Sequence, residues 1–267
     1  MKKKIIIFIL IIVIILAGIL VLKNFGGTKE NFYNENILVV GIDDSYPPMV
    51  FRNENNEIVG VDVDIAKAVC EKLGMDIKFQ SISWASKEQE LDSGNIDCIW
   101  SGFGYTEDRA KTMTLSDTYI QGEMFFILKD GSEIKSQDEL KGKKIGVQSG
   151  SIQEADLAAS DFGKEVEIIP FSDFVTAFTD LGVGGIDALY ISNTIGNYLI
   201  NSRQEKYITI PSEVVSKSEG IVVGLKKDNV ELRDKINSAL KELESEGRLK
   251  EISEKWFGTD MINLEER

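Results

Sequence analysis

Segments with strand-like and helix-like hydrophobic patterns alternate through most of this 267-residue chain. From Ile37, the run ILVVGID predicts a strand. VDVDIAKAVCEKLG predicts a helix, because its apolar residues fall at helical spacing and a glycine ends it. The alternation returns after Lys143, where KKIGVQSG, SIQEADLAAS and EVEIIPF read as strand, helix and strand. This rhythm is typical of mainly parallel sheets with helices on their faces. It predicts an α/β fold in which each half of the chain could close its own sheet.

The loops that follow strands are where an open α/β sheet binds ligands. They are residues 43–46, 101–109, 148–153 and 192–193. In the second loop, Arg109 carries a planar fork of donors that matches a carboxylate, although loop arginines commonly form surface ion pairs instead. In the third, SIQE is a capping box, so Ser151 is expected to begin a helix whose free N–H groups favour an anion. Plain helix capping is the alternative.

Aromatic residues near the first loop add to this candidate site. Tyr46 accompanies Asp43 ahead of two prolines, and Trp84 opens the helix after the next strand. Aromatic rings beside a carboxylate suit a ligand with an apolar or cationic side chain, whereas turn formation and core packing are the ordinary explanations. Asp62 is expected to be a first-turn helix residue with no ligand contact.

Composition excludes several functions. A net charge of -14 argues against a nucleic-acid partner, because phosphate binding depends on clustered lysine and arginine. The absence of histidine removes the commonest zinc ligand and the usual general base, so we predict no metal and no cofactor. Cys70 and Cys98 lie in apolar segments and are expected to be buried thiols, with a disulfide as the alternative.

The amino terminus indicates export. After MKKK, an apolar run from Ile5 to Leu22 would span about 27 Å as a helix, close to the thickness of a bilayer core. We find no A-x-A-like cleavage site and no cysteine for a lipid near the end of this run. We therefore predict a membrane anchor over residues 1–22, a tether over 23–36 and an extracytoplasmic binding domain, with a cleaved signal as the alternative.

Several motifs, in order along the chain, resemble polar amino-acid-binding proteins of bacterial ABC importers, the family 3 solute-binding proteins. The motifs are GIDDSYPPMVF, GVDVDIAKAVCEKLG, SGNIDCIWSGFGYTEDRAKTMTLSDTY, LKGKKIGVQSGS, GGIDALYIS and LESEGRLKEISEKWFG. The resemblance implies a type II periplasmic-binding-protein fold, with two α/β lobes that close on a solute about a two-segment hinge. Lobe 1 would comprise residues 37–121 and 221–267, and lobe 2 residues 122–220.

The resemblance also implies roles for individual residues. Arg109 would clamp a ligand carboxylate, with Gly102 as a backbone contact and Ser151 and Ile152 as contacts from lobe 2. Asp43 and Tyr46 would meet the ligand side chain beside Trp84. The complete set of predicted ligand-binding residues is Asp43, Tyr46, Trp84, Ser101, Gly102, Gly104, Arg109, Gln148, Ser151, Ile152 and Ser192.

Two positions depart from the family pattern. Gly104 and Ser192 stand where relatives usually hold the α-ammonium with a hydroxyl group and an aspartate. The ligand could lack a free ammonium, Asn193, Asp43 or Asp44 could replace the usual partners, or the protein could no longer serve transport.

We expect a monomer that binds a small carboxylate solute and meets ABC permease subunits in the membrane. A sensor acting through a partner protein is the first alternative. An enzyme similar to cyclohexadienyl dehydratase is the second, weakened by the lack of an acid at Ser192.

Overall fold

The computed structural model describes residues 37–204, 206–214 and 220–266. Residues Asn36–Arg267 cluster as one compact unit. The predicted anchor and tether, residues 1–36, lie outside the described residues. Among the described residues, we find no helix with the length and apolarity needed to cross a bilayer.

Strands and helices alternate as the sequence predicts. The strands are β1 Ile37–Ile42, β2 Ser45–Tyr46, β3 Val50–Arg52, β4 Ile58–Val59, β5 Asp76–Ser81, β6 Cys98–Ile99, β7 Thr114–Leu115, β8 Thr118–Ile120, β9 Met124–Lys129, β10 Lys144–Gln148, β11 Glu167–Phe171, β12 Ala188–Ser192, β13 Tyr207–Pro211, β14 Gly224–Leu225 and β15 Ile262–Glu265. The helices are α1 Val61–Leu73, α2 Lys87–Ser93, α3 Glu107–Thr112, α4 Ile152–Ala159, α5 Phe174–Val183, α6 Asn193–Asn201, α7 Val230–Ser245 and α8 Arg248–Phe257.

Two five-stranded mixed sheets organise the described chain. The first has the order β5-β1-β6-β14-β7, and the second has the order β11-β10-β12-β9-β13. In each sheet four strands run in the same direction and one runs against them, β14 in the first sheet and β9 in the second. The first sheet takes β14 from near the carboxyl terminus, whereas all strands of the second lie between residues 124 and 211. The division into lobes at residues 121/122 and 220/221 stays a prediction.

Helix α1 shows how the apolar pattern sets the packing. Val61, Ile65 and Val69 recur at helical spacing and are fully buried. Gly74 ends the helix in the left-handed region at φ 66°, where a residue without Cβ carries no steric cost. Helix α1 packs against β5 of the first sheet and against helices α7 and α8.

Both cysteines are free thiols buried in the core. Burial raises the pKa of Cys70 to about 11 and that of Cys98 further above its usual range. The structure therefore agrees with the expectation of buried thiols rather than with a disulfide.

Candidate ligand-binding site

A cavity lies where loops from the first sheet meet loops from the second. It contains about 530 Å³ of empty space, part of it open to solvent. The lining residues are Tyr46, Trp84, Gly102, Gly104, Arg109, Gly122, Met124, Gln148, Ser151, Ile152, Gln153, Ser192, Ile195, Gly220 and Ile221. Neighbouring parallel strands place their carboxyl ends at the same sheet edge, which is why loops distant in sequence converge here.

Arg109 is the charged residue among those that line the cavity. Helix α3, whose amino-terminal cap is Thr106, carries it, and its side chain is 14% exposed. The guanidinium donates to the carbonyl oxygen of Gly104 at 2.7 Å and lies over the ring of Phe103, 4.0 Å from the ring centroid. These contacts fix the position of the guanidinium while leaving part of its fork available to a ligand.

The acidic group nearest to the Arg109 guanidinium, Glu88, lies beyond hydrogen-bonding distance. Nη2 of Arg109 lies 3.8 Å from a carboxylate oxygen of Glu88, whose side chain is 44% exposed. Burial lowers the pKa of Arg109 to about 10, and the negative charges of Glu88 and Asp156 act in the opposite direction. Arg109 therefore stays charged at neutral pH in a site that is largely removed from water.

Helix α4 begins at the cavity, opposite Arg109. The hydroxyl of Ser151 accepts from the N–H of Glu154 at 3.1 Å, and the Glu154 carboxylate accepts from the N–H of Gly150 at 2.7 Å. The first N–H groups of a helix have no partner within it, so those of Ile152 and Gln153 are available to an acceptor. A guanidinium on one wall and a helix start on the other form a site suited to a carboxylate.

Asp43 and Ser101 lie one layer behind the lining. The Asp43 carboxylate accepts from the N–H of Ser45 at 3.0 Å and from the side-chain amide of Gln148. The Ser101 hydroxyl accepts from the N–H of Asp43 at 3.1 Å. Burial raises the pKa of Asp43 to about 6, and the Gln148 bond partly offsets this rise. Through Gln148, Asp43 positions a lining side chain that belongs to the second sheet.

Two aromatic residues form apolar walls. Trp84 packs edge-on against Phe103, with ring centroids 6.1 Å apart. Tyr46 packs against Phe174 from the second-sheet side, with centroids 5.7 Å apart. Burial raises the pKa of Tyr46 well above its usual range, so its hydroxyl stays protonated. Both rings were predicted from the sequence to line the site.

Asp62 supports the cavity from behind, a function that the sequence analysis did not give it. Although it lies in the first turn of α1, its side chain points inward and the residue is 1% exposed. Its carboxylate accepts from the N–H of Gly102 at 2.6 Å and from the hydroxyl of Tyr119 at 2.7 Å. Burial raises the pKa of Asp62 to about 7, and these two bonds partly offset the rise. Gly102, at φ 58°, is thereby fixed in its left-handed conformation.

Contacts around the cavity join the two sheets. The ammonium of Lys87, on a side chain 2% exposed, donates to the carbonyl oxygens of Trp84 at 3.1 Å and Gly150 at 2.8 Å. Burial lowers the pKa of this lysine. Farther out, the rings of Phe51 and Tyr198 pack with centroids 5.8 Å apart. The loops on the two sides are therefore in direct contact in this structure.

The sequence reasoning named nine of the lining residues and missed the others. The residues missed are Gly122, Met124, Gln153, Ile195, Gly220 and Ile221. Three of these residues flank the two predicted crossings between the lobes, namely Gly122, Gly220 and Ile221. A glycine at a predicted crossing was therefore the sequence feature that could have identified them as lining residues. Gln153 lies inside the capping segment that was already under inspection, whereas Met124 and Ile195 carry apolar side chains that sequence alone does not distinguish from core.

Comparison with known proteins assigns the family. The family model of bacterial extracellular solute-binding proteins, family 3, matches residues 38–259. The chain belongs to this family. It is 31% identical over 226 residues to the L-cystine-binding protein TcyJ of Escherichia coli K12, covering 84% of each chain. It is 32% identical to the arginine-binding extracellular protein ArtP of Bacillus subtilis 168, covering 82% of this chain and 86% of the relative.

Solved structures of the family share this fold. A substrate-binding protein of an ABC uptake transporter from Streptococcus pneumoniae, solved with bound histidine, superimposes with a TM-score of 0.83 at 31% identity. The match covers 88% of this chain and all of that one. The resemblance seen in the sequence motifs is therefore confirmed at the level of family and α/β fold.

Proposed function

We propose that this protein is the extracytoplasmic substrate-binding component of an ABC importer and that it holds a carboxylate-bearing solute in the cavity between its two sheets. The observation that carries the proposal is the pairing of Arg109 with the start of helix α4 across the cavity. Two independent positive features, one from each side, converge where a single carboxylate would bridge them. A bridging ligand would favour the conformation in which the two sides meet.

Within this proposal, residues 37–121 and 221–267 form one lobe and residues 122–220 the other. Closure would occur about the crossings near residues 121 and 220. Gly122 and Gly220 lie at these crossings and also line the cavity, so hinge position and ligand position are linked. We further propose a monomer, anchored by residues 1–22, that delivers its ligand to membrane permease subunits, because the curated relatives are binding proteins that include ABC transporter components.

The test is a binding screen followed by an uptake assay. Isothermal titration of the full-length protein, held in detergent, against amino acids and related carboxylates should identify a ligand whose binding saturates. The same ligand should stabilise the folded protein, because it binds only the native state. Cells lacking the protein should then lose high-affinity uptake of that ligand and regain it on complementation. Saturable binding with unchanged uptake would instead support a sensor that acts through a partner.

Asp43→Ala should change ligand selectivity more than stability. Without Asp43, the Gln148 amide keeps only the Ser172 carbonyl as an acceptor, at 3.3 Å, and its freed N–H can turn towards the ligand. We expect the ratio of affinities for ligands that differ in their side chains to shift by about tenfold, which corresponds to one altered hydrogen bond.

The matched control for this change is Asp44→Ala. Asp44 is adjacent in sequence, but its carboxylate bonds Arg52 at 2.6 Å and Ser81 at 2.7 Å, away from the cavity. Titrations with a ligand series should show altered ratios for the Asp43 variant alone. Equal losses for every ligand would contradict a selectivity function for Asp43.

A further inference from the structure

The charge of the cavity lining is unbalanced. Arg109 carries a positive charge, and no other described lining residue is charged at neutral pH, because burial raises the pKa of Tyr46 and keeps its phenol protonated. A ligand carboxylate would pair with Arg109, whose nearest acidic partner in the structure is Glu88 at 3.8 Å. A ligand with an additional ammonium group would bring a second positive charge that no described lining side chain can pair.

Three carboxylates near the cavity are already engaged elsewhere. Asp43 bonds Ser45 and Gln148, and Asp44 bonds Arg52 and Ser81. Asp62 bonds Gly102 and Tyr119, and it lies behind the backbone of the lining rather than in it. Recruiting any of these groups for a ligand ammonium would require breaking short hydrogen bonds that hold the site together.

Asn193 is not among the residues that line this cavity. Its side-chain oxygen accepts from the N–H of Glu123 at 3.2 Å, and the residue lines a neighbouring groove instead. Of the substitutes considered from the sequence, Asp43, Asp44 and Asn193, the structure places none in the cavity lining.

Two uncharged side chains of the lining, Gln148 and Ser192, can accept a hydrogen bond from a ligand. The amide nitrogen of Gln148 donates to Asp43 and to the Ser172 carbonyl, so Gln148 can offer the cavity only its carbonyl oxygen. The Ser192 hydroxyl shares a 2.8 Å hydrogen bond with Thr194 and lies beside Gly122. Such acceptors suit a neutral N–H or O–H group, which costs much less to bury than an ammonium.

Glycines expose backbone in the same part of the cavity. Gly104 and Gly122 line it without side chains, and a Cβ built on Gly122 would lie 2.8 Å from the Ser192 hydroxyl oxygen. Gly104 is bridged to Ile221 across the lining. The ligand therefore meets backbone and small uncharged groups here.

We propose that the ligand is a carboxylate without a free amine, whose neighbouring group is an uncharged hydrogen-bond donor, as in an N-acyl amino acid or a 2-hydroxy acid. This inference rests on the proposed function and narrows its ligand class. The shared chemistry is one negative charge for Arg109 and a neutral N–H or O–H for the acceptors around Gln148 and Ser192.

Matched ligand series test the inference on the full-length protein in detergent. For each side chain, isothermal titration compares the free amino acid, its N-acetyl derivative and its 2-hydroxy analogue. We expect the tightest ligand to come from the N-acetyl or 2-hydroxy series and to bind at least roughly tenfold tighter than the matched amino acid. Which of the two series prevails identifies the donor as N–H or O–H.

The outcomes separate the inference from the proposed function. If a free amino acid binds tightest and Arg109→Ala removes that binding, the inference is overturned and the proposed function stands. If no carboxylate binds, or if Arg109→Ala leaves the affinity unchanged, both the inference and the proposed function are overturned.

Charge substitution at Ser192 provides a second measurement. Ser192→Asp should raise the affinity for the free amino acid relative to its N-acetyl form by at least tenfold, because it introduces the missing negative charge. Ser192→Asn isolates the effect of that charge, because asparagine has nearly the same size as aspartate but is neutral. Glu219→Gln tests whether the carboxylate that precedes Gly220 in the sequence binds a ligand ammonium. If the affinity for the free amino acid falls in this variant, the inference is overturned. If the preference for amine-free ligands is unchanged, the inference is supported.

Discussion

Arg109→Ala should weaken binding of the carboxylate ligand by at least roughly 100-fold, because removing one partner of a buried charge pair costs on the order of 2–5 kcal/mol. In the variant, the ligand carboxylate would be buried against Phe103 and the glycine backbone without its guanidinium. The helix start at Ser151 would remain, so some affinity for anions is expected to persist. Isothermal titration of the ligand found by the screen gives the affinity ratio directly.

Two further variants separate charge, geometry and nonspecific effects. Arg109→Lys keeps the positive charge but loses the planar fork, so its loss should lie between those of wild type and Arg109→Ala. Lys111→Ala is the matched control, since Lys111 lies on the same helix with its side chain 68% exposed and pairs with Asp108. A loss of less than tenfold for Arg109→Ala, or an equal loss for Lys111→Ala, would place the carboxylate elsewhere.

Much of the fold could be predicted because hydrophobic periodicity reports burial. The long strands β1, β5 and β10 and the helix α1 carry runs long enough for the period to be read, and all of them are present. Strand β6 lies within the apolar segment IDCIWSG, which also predicts a strand, whereas the two-residue strands β7 and β14 were missed because they are too short to show any period. Strand β15 was also missed, since its pairing with β8 depends on a contact between distant parts of the chain.

The cavity lining was predicted best where chemistry and position agree. Arg109 and Ser151 lie in loops that follow strands and carry groups that bind anions. Residue type and position in the fold therefore both indicated an anion-binding site. Lys87 and Asp62 were not predicted, because lysine and first-turn aspartate are ordinarily solvated. Their burial follows from tertiary contacts with Gly150 and Gly102, which local sequence does not encode.

The second large effect is expected at Asp62, and it is an effect of pH on the free energy of unfolding rather than on ligand affinity. Its pKa is raised from 3.8 to about 7 by burial, so the folded protein binds a proton at Asp62 more tightly than the unfolded chain does. An acid with a raised folded-state pKa contributes most to stability at low pH, and that contribution is lost as pH rises through the folded pKa. Between pH 5 and pH 8, charging Asp62 should lower the unfolding free energy by on the order of 2 kcal/mol.

Asp62→Asn should remove this component of the pH dependence. Denaturant unfolding of both proteins at pH 5 and pH 8 gives the measurement, and the wild type should gain about 2 kcal/mol relative to the variant at the lower pH. Asp43→Asn is an informative comparison, because its pKa of about 6 in the folded protein predicts the same sign with a smaller magnitude. If the difference between wild type and Asp62→Asn stayed constant with pH, Asp62 would titrate alike in both states and its burial would carry no proton linkage.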